Sequence, residues 1–198
     1  MVRVEAFWLS LFLVFLAELG DKTQLVALLL ATRYRASVVL LAIFWATLAV
    51  HALSVALGGA TSQFLPQSWI YLLSGLAFVG FSWWTWRGDT LEDERDYAER
   101  GLRSPFLIVF VTFFLAELGD KTMLSTVTLA ASQALVPVWL GSTLGMVVSD
   151  ALAIVVGRIL GKQLPERAIK VGAALIFLGF GCYYALVGGL AIWQQHVS

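Results

Sequence analysis

Apolar positions fall into six long blocks, at about residues 5–31, 36–60, 68–87, 105–131, 136–160 and 167–192. Each reaches the roughly 20 residues that a helix needs to cross about 30 Å of hydrocarbon. The connections are short, apart from a polar stretch from Gly88 to Ser104. Pro66, Pro105, Pro137 and Pro165 lie at or near block edges, where a missing N–H costs little. Trp8, Trp69, Trp83, Trp84, Trp86, Trp139 and Trp193 sit near block ends, as an interfacial aromatic belt requires. Trp45 is more central and is expected to pack inside. The pattern predicts an all-α integral membrane protein with six transmembrane helices.

The first and fourth blocks carry the same interruption. Phe15-Leu16-Ala17-Glu18-Leu19-Gly20-Asp21-Lys22-Thr23 recurs letter for letter as Phe114-Leu115-Ala116-Glu117-Leu118-Gly119-Asp120-Lys121-Thr122, 99 positions later. At the same offset Gly58 matches Gly157, Leu65-Pro66 matches Leu164-Pro165, and Phe78, Gly80 and Phe81 match Phe177, Gly179 and Phe180. The chain therefore divides into a first three-helix repeat (1–87), a linker (88–104) and a second three-helix repeat (105–198). An odd number of spans per half forces the second half to cross in the opposite sense. Loop charge gives the orientation. Arg33, Arg35, Arg87, Arg95, Arg100, Arg103, Arg158, Lys162, Arg167 and Lys170 flank one side, against Arg3 and His196 on the other. The positive-inside rule makes the basic loops cytoplasmic and puts both termini outside. An inverted 3+3 repeat with a site at the midplane is a recurring plan of secondary transporters.

Composition agrees. The chain is 60% hydrophobic and 13% charged, with a mean hydropathy of +0.85, well away from a soluble domain. A formal net charge of zero argues against a nucleic-acid partner. The single cysteine, Cys182, excludes an intrachain disulfide and is expected to be a core thiol. The first block is too long for a cleavable signal peptide and carries Glu18, Asp21 and Lys22 at its centre, so it should stay as a helix. The stretch from Gly88 to Ser104 mixes acids with arginines in no calcium-loop spacing, and reads as a solvated cytoplasmic linker.

Charges at mid-bilayer depth cost roughly 2.5–3.5 kcal/mol each even on the lenient insertion scale, so they mark function by default. Positions i, i+3 and i+4 share a helix face, which groups Glu18, Asp21 and Lys22. Gly20 and Gly119 permit either a close helix approach or a local break, and a break at this depth must line a cavity. Glu18, Asp21, Glu117 and Asp120 together make a hard oxygen site suited to Ca²⁺, Mn²⁺ or Mg²⁺. Four crowded carboxylates cannot all stay ionised in low dielectric without a counter-cation, so the same groups can carry a divalent ion or protons. Lys22 and Lys121 temper the charge and can pair with a carboxylate once the ion has left. Two interhelical Asp–Lys pairs that merely hold the halves together are the alternative. Thr23, Thr122, Ser125, Thr47 and Ser149 offer neutral oxygens, and Gln24 a carbonyl. Met123, its repeat mate, offers a thioether that would favour Mn²⁺ if it ligates. Asp150 is a further acid within a span, a candidate ligand or proton relay, and its mate His51 a candidate proton acceptor.

The doubled Glu-x-Gly-Asp-Lys-Thr motif in a six-span chain resembles the calcium/manganese–proton exchangers of uncharacterised protein family 0016, which has Golgi, thylakoid and bacterial plasma-membrane members. The resemblance covers essentially the whole chain. It implies an inverted 3+3 repeat with Glu18, Gly20, Asp21, Lys22 and Thr23, and Glu117, Gly119, Asp120, Lys121 and Thr122, as the cation site. Gln24 fits the family pattern after the threonine, while Met123 departs from it. Short termini and a compact linker resemble bacterial members linked to manganese export, which implies a multi-pass protein of the bacterial plasma membrane. The expected activity is export of Mn²⁺, with Ca²⁺ as a second cargo, in exchange for protons. The ion is cargo, and no cofactor is expected. The partners are the divalent cation, protons and the lipid bilayer, and a homo-oligomer is left open. A cation channel or uniporter without proton coupling is the competing class. An intramembrane metalloenzyme lacks a nucleophile–base set, so no enzyme activity is expected.

Overall fold

The computed structural model describes residues 2–87, 104–160 and 166–197, and all regular structure in them is helical. The linker from Gly88 lies outside the described residues up to position 103, and so does the side chain of Lys22. The described residues form eight helices: α1 (Val2–Glu18), α2 (Lys22–Arg33), α3 (Ala36–Phe64), α4 (Gln67–Arg87), α5 (Pro105–Glu117), α6 (Lys121–Ser132), α7 (Leu135–Leu160) and α8 (Glu166–Val197). Of the two possibilities left open at Gly20 and Gly119, the structure takes the break: blocks 5–31 and 105–131 are each split at the motif. Backbone conformation is the cause. Gly20 and Gly119 have φ of 74° and 81°, a left-handed geometry that ends a right-handed helix and that only glycine takes freely. A Cβ on Gly119 would meet nothing within 4 Å, so this glycine serves the break rather than a close approach.

Three helices are long and apolar enough to cross a bilayer alone among the described residues: Ala36–Phe64, Leu135–Gly157 and Val171–Gln195, with mean hydropathies of 2.3, 1.7 and 2.0. The broken pairs supply shorter apolar helices. Contacts come in reciprocal sets. Helix α1 packs on α7 and α5 on α3; α3 packs on α6 and α2 on α7; α3 meets α7 and α4 meets α8. Two positions touch their own repeat mates, 99 residues away. The Thr47 hydroxyl donates to the Met146 sulfur at 3.2 Å, and the rings of Phe78 and Phe177 stack at 6.0 Å. Matched glycines repeat the same close packing. A Cβ on Gly58 would lie 2.4 Å from the Val127 carbonyl oxygen on α6, and one on Gly157 would lie 2.6 Å from the Leu28 side chain on α2. Small residues at such crossings let helices approach where lipid gives no hydrophobic drive between them.

The molecule is apolar outside and polar at its centre. Phe64, Trp83, Trp86, Leu186 and Trp193 are exposed, while Glu18, Asp21, Glu117, Asp120, Lys121 and Asp150 are buried. An apolar surface of this extent suits hydrocarbon rather than water. Two expectations fail for the same reason. Trp45 is half-exposed on α3 and Cys182 is exposed on α8. A helix apolar all round carries no periodic mark of which face is inward.

Candidate cation site

Glu18 is the last residue of α1 and Glu117 the last of α5, so both carboxylates sit where a helix ends. Each helix C-terminus carries about half an elementary negative charge from its aligned peptide dipoles, which repels a carboxylate and attracts a cation. Asp21 and Asp120 cap the following helices, α2 and α6. Their side of each break faces helix N-terminal dipoles, where negative charge is favoured. The left-handed glycine thus joins a cation-favouring helix end to a carboxylate-favouring one, twice.

The breaks are stapled by the residue after the threonine. The Gly20 N–H donates to Gln24 Oε1 at 2.8 Å, and the Gly119 N–H donates to the Met123 sulfur at 3.2 Å. Both Gln24 and Met123 therefore spend an acceptor on the backbone of the break. The other end of Gln24 reaches across the repeats, its amide donating to the Ser149 carbonyl (2.9 Å) and hydroxyl (2.7 Å) on α7.

The two motifs meet. Oxygens of Glu18, Glu117 and Asp120 lie within 4.8 Å of one another. A cation with metal–oxygen bonds of about 2.3–2.6 Å holds opposite oxygens about 4.6–5.2 Å apart, so that spread fits one hard divalent ion. Lys121 forms an ion pair with Asp21 from the other repeat, with both side chains buried. The Thr122 hydroxyl donates to one oxygen of Glu18, and the Thr23 hydroxyl donates to the other at 2.9 Å. Asp120 accepts from the Thr122 N–H at 3.5 Å. Neither oxygen of Glu117 has a hydrogen-bond partner among the described residues. Both oxygens of Asp150, on α7, likewise lack a hydrogen-bond partner among the described residues. Carboxylates packed this tightly are arranged to receive positive charge, whether metal or proton.

Other expected site residues make local contacts. His51 is buried on α3, its Nδ1 3.4 Å from the Thr143 hydroxyl, and its Nε2 has no partner among the described residues. The hydroxyls of Ser125 and Thr126 return to the Thr122 carbonyl on their own helix. Sequence reading did not single out Met146. Its position 99 after Thr47 was the signal available.

A buried acidic cluster built between two broken apolar helices defines a membrane cation-transport protein. The sequence profile of the family described as divalent cation/proton antiporter GDT1 matches residues 6–93 and 105–190, and the chain belongs to that family. It is a multi-pass membrane protein of a transporter family. Among relatives, a Vibrio cholerae protein named "Putative manganese exporter" is 39% identical over 176 residues, covering 86% of this chain and 85% of that protein. GDT1-like protein 5 of Arabidopsis thaliana is 28% identical over 214 residues, covering 90% and 94%. GDT1-like protein 3 of Oryza sativa is 27% identical over 200 residues, covering 89% and 72%. No solved structure matches the chain.

Proposed function

We propose that this protein is a secondary transporter that moves Mn²⁺ out of the cytoplasm in exchange for protons, with Ca²⁺ as a second cargo. The observation that carries the reading is the convergence of Glu18, Glu117 and Asp120 from the two motif copies on one ion-sized space, with the Asp21–Lys121 pair beside it. Manganese is favoured as cargo by the name of the Vibrio cholerae relative.

The chain is read as six spans in an inverted 3+3 repeat, with α1–α2 and α5–α6 each forming one broken span. Reciprocal helix contacts and the self-paired positions Thr47–Met146 and Phe78–Phe177 support a two-fold between the halves. In a bacterial plasma membrane the basic loops lie in the cytoplasm and both termini outside. The two halves rock about the midplane site. Ionised carboxylates bind the cation. Protons arriving from the other side neutralise Glu18, Glu117 and Asp120 and release it, while the Lys121 ammonium balances Asp21.

Flux in proteoliposomes tests this. With Mn²⁺ inside and a pH-sensitive dye, wild-type vesicles should move metal and protons in opposite directions, while Glu18→Gln and Glu117→Gln vesicles should do neither. Mn²⁺ movement without a matching pH change would leave a uniporter. Full transport by both variants would refute the site.

A further inference from the structure

The two broken spans end alike but are held differently. Gln133 caps α6 and its repeat mate Tyr34 caps α2, their N–H groups donating to the Leu129 and Leu30 carbonyls at 2.8 Å. The backbone is the same and the side chains are not. The Gln133 amide donates to the Tyr184 hydroxyl on α8 at 3.0 Å. Tyr184 is buried, with the rings of Tyr71 and Phe78 on α4 at 5.7 and 6.0 Å. Tyr34 packs instead against an apolar cluster that includes Val39 and Phe113 and, among the described residues, no side chain of α4 or α8. The hydroxyl of Thr85, the mate of Tyr184, is buried without a partner among the described residues.

Core packing divides the same way. Leu129 and Ala130 of α6 lie in one buried cluster with Phe78 and Phe81 of α4 and Phe177 of α8. Their mates on α2, Leu30 and Ala31, lie in the other cluster. Helices α4 and α8 are locked backbone to backbone. A Cβ on Gly75 would lie 2.3 Å from the Ala185 nitrogen, and one on Gly188 would lie 2.3 Å from the Leu72 nitrogen. The Ser82 hydroxyl also donates to the Ala174 carbonyl at 2.7 Å. A pair joined so closely moves as one body. Among the described residues α6 shares its core with that body and α2 does not.

We propose that the Gln133–Tyr184 hydrogen bond is a gate latch, which holds α6 on the α4–α8 pair and must break each time the transporter alternates. The assignment rests on the exchange reading above, in which α6 runs from the midplane to the outer face, and it adds two gating residues to that reading. With the latch made, the acidic centre is shut off on the outer side, and a cation leaves outward only after α6 parts from α4 and α8. The repeat does not duplicate the latch, because Tyr34 and Thr85 stand where Gln133 and Tyr184 would be. One neutral hydrogen bond suits the task. Its net worth shifts a two-state balance about two- to tenfold without fixing it.

The test uses the full chain in lipid nanodiscs and reads the distance between spin labels on α6 and α8. Labels go on Thr128→Cys and Leu186→Cys in a Cys182→Ser background, because Cys182 is exposed and would take a label itself. Tyr184→Phe removes only the hydroxyl, and Gln133→Leu removes only the amide. Each should raise the ratio of long to short distances about two- to tenfold. The double variant should shift it no further than the larger single, since one bond is lost in all three. Unchanged distances in both single variants, or shifts that add in the double, overturn the proposal. So does lowered thermal stability with unchanged distances, which would make the bond a structural tie. If Tyr184→Phe does not fold, Gln133→Leu decides alone. Proton-coupled Mn²⁺ flux in the wild type with unmoved distances in the variants removes the latch only. Shifted distances with no proton counter-flow in the wild type keep the latch and remove the exchange reading.

Discussion

Gly119 offers a clean measure of what the helix break is worth. Its φ of 81° lies in the left-handed region, and a Cβ placed there would touch nothing within 4 Å. Alanine at 119 therefore introduces no clash, and its whole cost is backbone conformation, about 1–2 kcal/mol. Gly80 is the matched control. It lies within α4, and a Cβ there also meets nothing within 4 Å, so alanine should gain about 0.5–1 kcal/mol from helix propensity. The two substitutions, identical in chemistry and in available space, should then differ by about 1.5–3 kcal/mol. Gly119→Asn should fall between wild type and Gly119→Ala, since asparagine tolerates the left-handed region better than alanine. Equilibrium unfolding in mixed detergent micelles reads the stabilities, and Mn²⁺ binding by the same samples reads the site. Because the break aims Glu117 and Asp120 at Glu18, Gly119→Ala should also weaken Mn²⁺ binding, whereas Gly80→Ala should not. Equal stabilities for Gly119→Ala and Gly80→Ala would refute the reasoning. They would mean that the left-handed turn is not what holds α5 and α6 apart.

The buried Lys121–Asp21 pair predicts a steep, non-additive cycle: Lys121→Met should cost about 3–5 kcal/mol of stability by leaving a buried carboxylate without its ammonium, and adding Asp21→Asn should recover most of it. A double variant no more stable than Lys121→Met alone would discount the pair. Acid should weaken metal binding, because protons and the cation compete for the same oxygens; apparent Mn²⁺ affinity should drop about tenfold per pH unit for each proton displaced, so the slope measured by pH-dependent titration counts the protons. A pH-independent affinity would argue against exchange at this site. Met123→Gln should leave the Mn²⁺/Ca²⁺ preference unchanged, because the sulfur is engaged by the Gly119 N–H. It should also stabilise the break by about 0.5–1.5 kcal/mol, since an amide oxygen accepts that N–H better. A shifted cation preference in flux assays would return Met123 to the ligand set.

Much of this architecture is written as periodicity and repetition, which survive in sequence. Block length predicted membrane helices, and the offset of 99 paired the residues that meet in space. Glu18 and Glu117 could be brought together on paper because identical segments in antiparallel spans reach equal depth. Three things were not legible. Whether Gly20 breaks its helix depends on φ, and a glycine between apolar residues is compatible with a continuous helix or a turn. The inward face of a helix apolar all round cannot be read from its letters, and this misassigned Trp45 and Cys182. Hydrogen-bond allocation was hidden as well. Gln24 and Met123 read as ligand donors because their heteroatoms suit metals, but the backbone of each break claims those atoms first.

Nine identical residues do different things in the two copies. Both threonine hydroxyls serve Glu18 and neither serves Glu117, and Asp120 accepts a capping N–H while Asp21 makes no such cap bond. Identical sequence cannot itself produce this inequality, so it belongs to the conformation. The exchanged arrangement, with the hydroxyls on Glu117, has the same interactions available within the motifs. The free-energy gap between the two is then set by lining positions where the repeats differ: Gln24 against Met123, Thr47 against Met146, His51 against Asp150. A handful of altered hydrogen bonds at about 0.5–1.5 kcal/mol each gives a gap of a few kcal/mol. A gap of that size leaves the minor state populated and lets a cation that binds one state better shift the balance. Spin-label distances between α3 and α7, with and without Mn²⁺, should therefore resolve two populations whose ratio the metal changes. One unvarying distance under all conditions would sink this account of alternation.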